Sequence, residues 1–240
     1  MTVDFKIIAS RTRQEMAENL RDALSLTDAD IVYDDRPEGG NPYVPTKAAW
    51  LLPHEEGVTH RVVLNEDVQV CENFKEIIEQ MAQSHPGCAF SLFTMDLDSE
   101  DYSGFIEGLT TPYIHSDWTM WGCAILMPLS VVEECFSYID TVFDENVHES
   151  FGIYSFLRHK EIPILTTIPV TVQHIGDDSL YDPSLPVRRT SRFEESPTAD
   201  WSNTTIAQPP AIEWFKPKPK EWSKLPDLLA ILKGETEDDG

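Results

Sequence analysis

The sequence predicts an α/β fold with a mostly parallel central sheet flanked by helices. Short apolar runs alternate along the chain with longer segments whose apolar residues recur three and four positions apart. Strands alternating with helices are typical of a mostly parallel sheet. The run at 58–64 is apolar enough to be a strand buried on both faces. With 240 residues, 41% of them hydrophobic, the chain can bury the core that such a fold requires.

The first half of the chain is expected to open with a βαβ unit. The first helix is indicated by Met16, Leu20, Ala23 and Leu24, which share one face, and a later helix by Phe74, Ile77, Ile78 and Met81. Gly, Pro and Asp residues predict a loop at 34–42. The expected strands are 5–9, 29–33, 58–64 and 88–95, and the expected helices are 12–24, 46–52 and 73–83.

The second half is expected to contain an acidic, irregular stretch at 96–116, which could form a lid before a core strand at 118–127. A helix should follow at 128–138, with Ser130 as its N-cap and Glu133 completing a capping box. The remaining expected elements are a helix at 149–159 and a strand at 164–172 that is interrupted by Pro169.

Composition changes after residue 200. Residues 1–200 are expected to form the main domain, and 201–240 a Pro- and Trp-rich C-terminal arm. Trp214, Phe215 and Trp222 could anchor this arm, which should contain a short helix at 225–232 and a mobile acidic end.

Charge, hydropathy and cysteine content indicate which partners and which cell compartment to expect. The chain has 42 acidic and 18 basic residues, and its net charge of -24 disfavours a nucleic-acid partner without excluding a local basic groove. No apolar run is long enough to span a membrane, and residues 1–4 do not resemble a secretion signal, so we expect a soluble cytoplasmic protein. The four separated cysteines are expected to be buried free thiols.

An acidic pair follows the strand at 58–64. In open α/β sheets ligands bind beyond the carboxyl ends of the strands, so Asp67 falls where a divalent cation would meet a diphosphate. Magnesium-like cations need only one or two protein carboxylates when phosphate oxygens supply further ligands. Alternatively, Glu66 and Asp67 cap the helix that starts near Glu72, or face solvent.

Three short motifs together resemble a known family. They are 64–68 with Phe74, then 121–128, then 169–176 leading to Ser179. Their order resembles nucleotide-sugar-dependent glycosyltransferases of the GT-A fold, especially short bacterial and phage relatives of the lipopolysaccharide and collagen glycosyltransferase family. The resemblance covers roughly 5–195 and implies that residues 1–200 form a GT-A-like, Rossmann-like catalytic domain.

The resemblance implies a metal site. The family's motif reads Leu-Glu-Asp-Asp-Val. Asp67 matches its last acid, and in this chain Asn65 and Glu66 stand in place of its first two acids. His174 matches a His that completes the metal or diphosphate site, with Mn2+ or Mg2+ as the cation. The alternative for His174 is a purely structural role.

The resemblance also implies a general base at the start of a helix, where Glu149 is the first choice. A carboxylate there can take the proton of an acceptor hydroxyl, and partial burial would raise its pKa toward the working pH. Asp144 and Glu145 are substitutes, and the alternative for Glu149 is an acidic first-turn residue favoured by the helix dipole.

Donor contacts are expected at the ends of the first two strands and beyond. Arg11 or Arg13 could pair with phosphate and Asp34 or Asp35 with the ribose, although Arg13 could equally be a solvated helix residue. Lys47 lies in a segment that resembles the donor helix. Arg189 and Arg192, with Arg188, could form a basic lid or an ordinary surface cluster. Three aromatic residues could stack on a sugar or belong to the core: Tyr113, Trp118 and Trp121.

These observations leave three functions open. The first is a metal-dependent hexosyl- or pentosyltransferase that uses a nucleoside-diphosphate sugar and a hydroxyl acceptor on a saccharide, a protein or a modified base in phage DNA. The second is a GT-A-like nucleotide- or protein-binding module without activity. A nucleotidyltransferase is disfavoured because no Gly-rich loop follows the first strand.

Overall fold

A seven-stranded mixed sheet lies at the centre of the protein. This computed structural model describes residues 2–36, 42–94, 100–116, 121–143, 147–177 and 188–209. The strands are β1 (Thr2–Ser10), β2 (Ile31–Asp34), β3 (Val58–Asn65), β4 (Val68–Val70), β5 (Ala89–Ser91), β6 (Tyr113–His115), β7 (Ala124–Pro128), β8 (Ile164–Thr167) and β9 (Val172–His174). The α-helices are α1 (Gln14–Ala23), α2 (Tyr43–Leu51), α3 (Phe74–Ser84), α4 (Glu100–Glu107), α5 (Val132–Val142) and α6 (Glu149–His159).

The order of strands in the large sheet is β2-β1-β3-β7-β5-β8-β6. Strands β1, β2, β3, β5 and β8 run in one direction, and β6 and β7 run in the other. The predicted α/β class with a mostly parallel central sheet is therefore confirmed. Strands β4 and β9 form a separate antiparallel pair.

Helices cover both faces of the large sheet. Side chains of successive strand residues point to opposite faces. In β1, Ile7 belongs to the core cluster that contains apolar residues of α1 and α3, and Ile8 belongs to the cluster that contains those of α2, α5 and α6. The predicted inward face of α3 is confirmed, because its four apolar residues are buried. In α1, Leu20 and Leu24 are buried as expected, but Ala17 replaces Ala23 on the inner face.

Two predictions about the second half were wrong in detail. The stretch at 96–116, expected to be irregular, contains α4 and β6; β6 is only three residues long and pairs with β8, so it carries little local pattern. The single strand expected at 164–172 is two strands in different sheets. Proline has no N–H to donate to a sheet, and Pro169, after a cis peptide bond, lies between β8 and β9.

The predicted capping box at Ser130 was also wrong. The chain enters α5 through a 3-10 turn at Leu129–Val131, with the Val132 N–H bonded to the Leu129 carbonyl. Ser130 therefore lies inside this turn, and Val131 occupies the position before the helix.

The first described residues of the predicted arm pack on the domain. Trp201 is 4% exposed, and its carbonyl accepts hydrogen bonds from Tyr113 Oη (2.6 Å) and Ser84 Oγ (2.9 Å). Ala207 pairs with the backbone of β6. The anchors and helix expected within 210–240 lie outside the described residues.

The predicted buried thiols are confirmed, because all four cysteines are buried and free. In the part of the chain described above, none of the helices has the length and apolar character needed to cross a membrane.

Candidate functional site

The carboxyl ends of β1, β2 and β3 meet at one edge of the sheet. Ser10 pairs with Asp34, and Ile8 pairs with Asn65, so the loops that follow these strands leave the sheet together. Strand β7 runs the opposite way and starts at the same edge, where the Cys123 carbonyl accepts from the Asn65 N–H at 2.8 Å. This edge is where open α/β sheets bind ligands.

Glu66 and Asp67 form the turn between β3 and β4, and both are buried. The Glu66 N–H donates to the Ile8 carbonyl at 3.0 Å, which fixes the turn to β1. The alternative of a solvent-facing pair is therefore wrong. A capping role is wrong as well, because α3 begins at Phe74 and Asn73 precedes it in a left-handed conformation.

The small β4–β9 sheet brings His174 to Asp67. Val68 pairs with His174, and the Ile175 N–H donates to the Asp67 carbonyl at 2.8 Å. The resulting distance from His174 Nε2 to Asp67 Oδ2 is 3.4 Å. Residues from two distant motifs thus share one buried position.

Arg13 is the third member of this cluster. It ends the 3-10 turn after β1, and its Nη1 lies 2.6 Å from Asp67 Oδ2 and 3.5 Å from Glu66 Oε1. Arg13 is therefore held by acidic residues rather than solvated, which removes the surface alternative for it. We call these four residues the edge cluster: Arg13, Glu66, Asp67 and His174.

The two acids of the edge cluster differ in their electrostatics. Burial, with the nearby Asp67 charge, raises the pKa of Glu66 to about 7. Burial also acts to raise the pKa of Asp67, but His174 and Arg13 outweigh it and hold that pKa below its usual value. Asp67 is the member that keeps its negative charge.

Two buried polar atoms of the edge cluster have no hydrogen-bond partner among the described residues. They are Asp67 Oδ1 and His174 Nδ1. Buried polar atoms are normally satisfied, so unpaired ones at a sheet edge indicate a place for a ligand. Gly176 approaches so closely that a Cβ there would lie 2.6 Å from Asp67 Oδ2.

Asp67 and His174 could offer a divalent cation one carboxylate and one imidazole, ligand types that manganese accepts. Within the described ranges no group of three or more His, Cys, Asp or Glu side chains could hold a metal. A cation bound by these two side chains would therefore need further ligands from a bound molecule such as a diphosphate.

Glu149, the first residue of α6, is 5% exposed. Its Oε2 lies 3.2 Å from His148 Nδ1, without the geometry of a hydrogen bond, and His148 Nδ1 is also 2.8 Å from Ser150 Oγ. Burial raises the pKa of Glu149. Glu149 packs against Gly122, and the next residue, Cys123, accepts a hydrogen bond from Asn65, two residues before Asp67, so Glu149 belongs to the same edge of the sheet.

Three proposed donor residues lie along the same edge. Arg11 Nε is 2.7 Å from Asp35 Oδ1, and the Arg11 guanidinium lies 3.9 Å from the centre of the Tyr33 ring. Asp34 is paired with Arg36 at 2.8 Å. The edge therefore presents a cation over an aromatic ring next to two acids.

The other proposed donor residues have separate partners. Lys47 pairs with Asp140 of α5, and Arg189 pairs with Asp177 at 2.9 Å. Arg192 belongs to a segment held beside β9, because its carbonyl accepts from the Val170 N–H at 3.0 Å. Asp144 and Glu145, the substitutes for the base, lie outside the described residues, as does Trp118.

No protein-family model matches the sequence, and no curated protein matches it. Solved structures with a similar backbone include TarS of S. aureus, with a TM-score of 0.43 and 10% identity over 68% of this chain and 57% of that one. A mutant Drosophila β-1,4-galactosyltransferase 7, complexed with manganese, UDP-Gal and xylobiose, gives 0.40 and 8% over 72% and 71%. A glycosyltransferase involved in glycosylating the major capsid of PBCV-1 gives 0.35 and 12% over 69% and 82%.

The second and third of these proteins are named as a galactosyltransferase and a glycosyltransferase. All three similarities are low, and this chain spans little more than half the length of the TarS chain. At identities of 8–12% no residue role is transferred from them to this chain.

The aromatic residues near the site divide into two groups. Trp121 is half-buried, with its ring 6.1 Å from Phe93, whose ring is 6.4 Å from that of His174. Tyr113 is fully buried, 4.4 Å from the His85 ring, so stacking of Tyr113 on a sugar was a wrong expectation.

Sequence reasoning missed the two glycines of the site. Gly176 packs on Asp67, and Gly122 packs on Glu149, where a Cβ would clash with Oε1 and lie 3.2 Å from Ser150 Cβ. Both glycines stood inside the quoted motifs, but only the contacts across the fold reveal which carboxylate each one faces.

Proposed function

We propose that this chain is a glycosyltransferase that moves a sugar from a nucleoside-diphosphate sugar to a hydroxyl acceptor. The observation that carries this proposal is the edge cluster, in which Asp67, His174 and Arg13 meet at the carboxyl edge of the sheet and leave a buried carboxylate oxygen without a partner. Such a set can bind a diphosphate with its counter-ion, and Glu149 packs against Gly122, just before β7 at the same edge.

Each residue of the edge has a role in holding the donor. The Arg11 guanidinium and the Tyr33 ring offer a charged and a flat surface to a nucleotide, while Asp34 and Asp35 can accept hydrogen bonds from ribose hydroxyls. Arg189 and Arg192 follow the edge cluster along the chain and can close over the phosphates.

The leaving group in this reaction is a nucleoside diphosphate whose negative charge increases as the sugar bond breaks. Asp67 and His174 would hold Mn2+ or Mg2+, which when bound would neutralise part of that charge. Arg13, already within the cluster, supplies a fixed positive charge from the protein itself.

Glu149 is the proposed general base. An ionised carboxylate can accept the proton of an acceptor hydroxyl as the new glycosidic bond forms. Because burial raises the pKa of Glu149, its ionised form is a stronger proton acceptor than an ordinary Glu. Saccharides, proteins and modified bases all offer such a hydroxyl, and the net charge of -24 disfavours DNA.

A second candidate is a nucleotide-binding module without transferase activity. It is favoured by the burial of Glu149, which is only 5% exposed, and by the two-residue protein ligand set of the cation site. The two candidates differ in turnover, not in donor binding.

The test is a screen of nucleoside-diphosphate sugars with and without Mn2+. The thermal stability of the protein and the release of nucleoside diphosphate are measured for each sugar. A donor present at 100 times its Kd should stabilise the native state by about 2.7 kcal/mol. Asp67→Ala should abolish this stabilisation, while Asp22→Ala, at an exposed acid of α1, should not. Binding without turnover favours the module, and absence of stabilisation by every donor refutes both candidates.

A further inference from the structure

Arg13 occupies the oxygen that a cation would use. Its Nη1 is 2.6 Å from Asp67 Oδ2, the same atom that lies 3.4 Å from His174 Nε2. The Arg13 and Asp67 side chains are only 15% and 8% exposed, so little water screens the pair. Asp67, which is expected to hold a metal, is already paired with a cation that the chain supplies.

A divalent cation and this guanidinium compete for one carboxylate. Asp67 Oδ1 has no partner among the described residues, so it is the carboxylate oxygen left for a cation, which would then lie close to the positive charge of Arg13. Like charges at short range in a buried place repel each other strongly. Cation binding in the absence of a donor should therefore be weak.

A diphosphate removes this conflict. Phosphate oxygens match the planar fork of a guanidinium and can bond two of its N–H groups at once, which one carboxylate oxygen does not offer. When Arg13 turns to the diphosphate, both oxygens of Asp67 become available to the cation. Each of the two ligands thus improves the binding of the other, as linkage requires.

We propose that Arg13 is a built-in counter-ion for Asp67 that makes binding of the divalent cation and of the diphosphate mutually dependent. This inference rests on the proposed function and adds to it a rule for the order of events. Arg13 balances the charge of Asp67 while the site is empty, and the site takes up the cation together with the diphosphate rather than before it.

The test measures binding of Mn2+ alone, of inorganic pyrophosphate alone, and of Mn2+ with saturating pyrophosphate. Calorimetry and the Mn2+ electron paramagnetic resonance signal report binding without any need for turnover. In the parent protein, pyrophosphate should raise Mn2+ affinity about 10-fold or more, within the usual range of coupling between sites. Arg13→Gln should bind Mn2+ alone about 10-fold more tightly than the parent, and its coupling to pyrophosphate should fall toward none.

Two further variants keep the test sharp. Arg13→Lys retains the charge without the fork, so it should keep weak Mn2+ binding and lose part of the coupling. Arg21→Gln removes an arginine that pairs with Asp22 on the surface of α1, and it should behave as the parent. Circular dichroism and thermal melts check that each variant is folded.

The inference is overturned if Arg13→Gln binds Mn2+ alone no more tightly than the parent, or if its coupling to pyrophosphate is unchanged. Tight Mn2+ binding by both proteins would remove the competition but leave the metal site of the proposed function in place. If folded parent and variants all fail to bind Mn2+ with or without pyrophosphate, the inference and the cation site fall together, and the donor screen then decides the function.

Discussion

Gly176→Ala is expected to damage the edge cluster with the smallest possible change. The new Cβ would lie 2.6 Å from Asp67 Oδ2 and 3.1 Å from the Cβ and Cγ of the same residue. Because three atoms of Asp67 are affected, rotation of the carboxylate alone cannot relieve the overlap. The Asp67 side chain must shift as a whole or Gly176 must move away from it.

The Asp67 carboxylate would have to shift by on the order of 1 Å, and misplacing a reacting group by that distance can lower the reaction rate about 100-fold. Residues that orient a metal ligand without touching the metal typically change metal affinity about 10- to 100-fold when they are mutated. We therefore expect Gly176→Ala to weaken Mn2+ binding in the presence of pyrophosphate by about 10- to 100-fold.

Calorimetry of parent and variant with Mn2+ and pyrophosphate gives the comparison. Gly87→Ala is the matched control, because no described atom lies within 4 Å of the Cβ position at Gly87. The control should bind as the parent does. If Gly176→Ala is folded and binds within twofold of the parent, the placement of Asp67 beside Gly176 is not what positions the ligand, and the reasoning fails.

Three further predictions address the base and the stability of the fold. Glu149→Gln should keep donor binding but lose about 100-fold or more in turnover. Since burial raises the pKa of Glu149, the activity of the parent protein should fall as the pH decreases through a value above 4.5. Burial lowers the pKa of His60 below 6.5, so stability should be lost as pH falls through 6.5, by at most about 1.4 kcal/mol per pH unit. His60→Gln should reduce this loss in urea unfolding at pH 5 and 7, and His54→Gln, at an exposed site, should not. Trp201→Ala should destabilise the protein by roughly 3–5 kcal/mol in a thermal melt, whereas Leu51→Ala, at a side chain 42% exposed, should have little effect.

Each of these predictions has a contrary outcome. Turnover of Glu149→Gln within a fewfold of the parent would assign the proton transfer to another group. A pH dependence of stability that is the same in His60→Gln as in the parent would show that His60 titrates alike in the folded and unfolded chain. An unchanged melting temperature in Trp201→Ala would mean that this ring does not fasten the segment that follows it.

The elements with strong local patterns could be predicted from the sequence. Helix α3 places its apolar residues three and four apart, and β3 is a long apolar run, so tertiary context was not needed to find them. The short strands β4 and β6, with three residues each, could not be found because their stability comes from partners far away in the chain. Local sequence around them reads as a loop.

Only part of the candidate site could be predicted, because only part of it depends on local sequence. The position of Asp67 after a buried strand is a local signal, and the resemblance to a family of enzymes added His174. The pairing of Arg13 with Asp67 and the contact of Gly176 with the same carboxylate depend on how strands β1, β3 and β9 are arranged, which no local pattern records. Lys47 was predicted to contact the donor, but its partner in the structure is Asp140 of α5.

The β4–β9 pair also determines when the edge cluster can be completed during synthesis. Its two strands are far apart in the chain, and at roughly 5–20 residues per second His174 is synthesised roughly 5–20 s after Asp67. Arg13, in the turn after β1, and Asp67, in the turn after β3, are both made before it. During that interval the nascent chain contains the acidic turn without its histidine, and Arg13 is the cluster member already present that can balance the Asp67 charge.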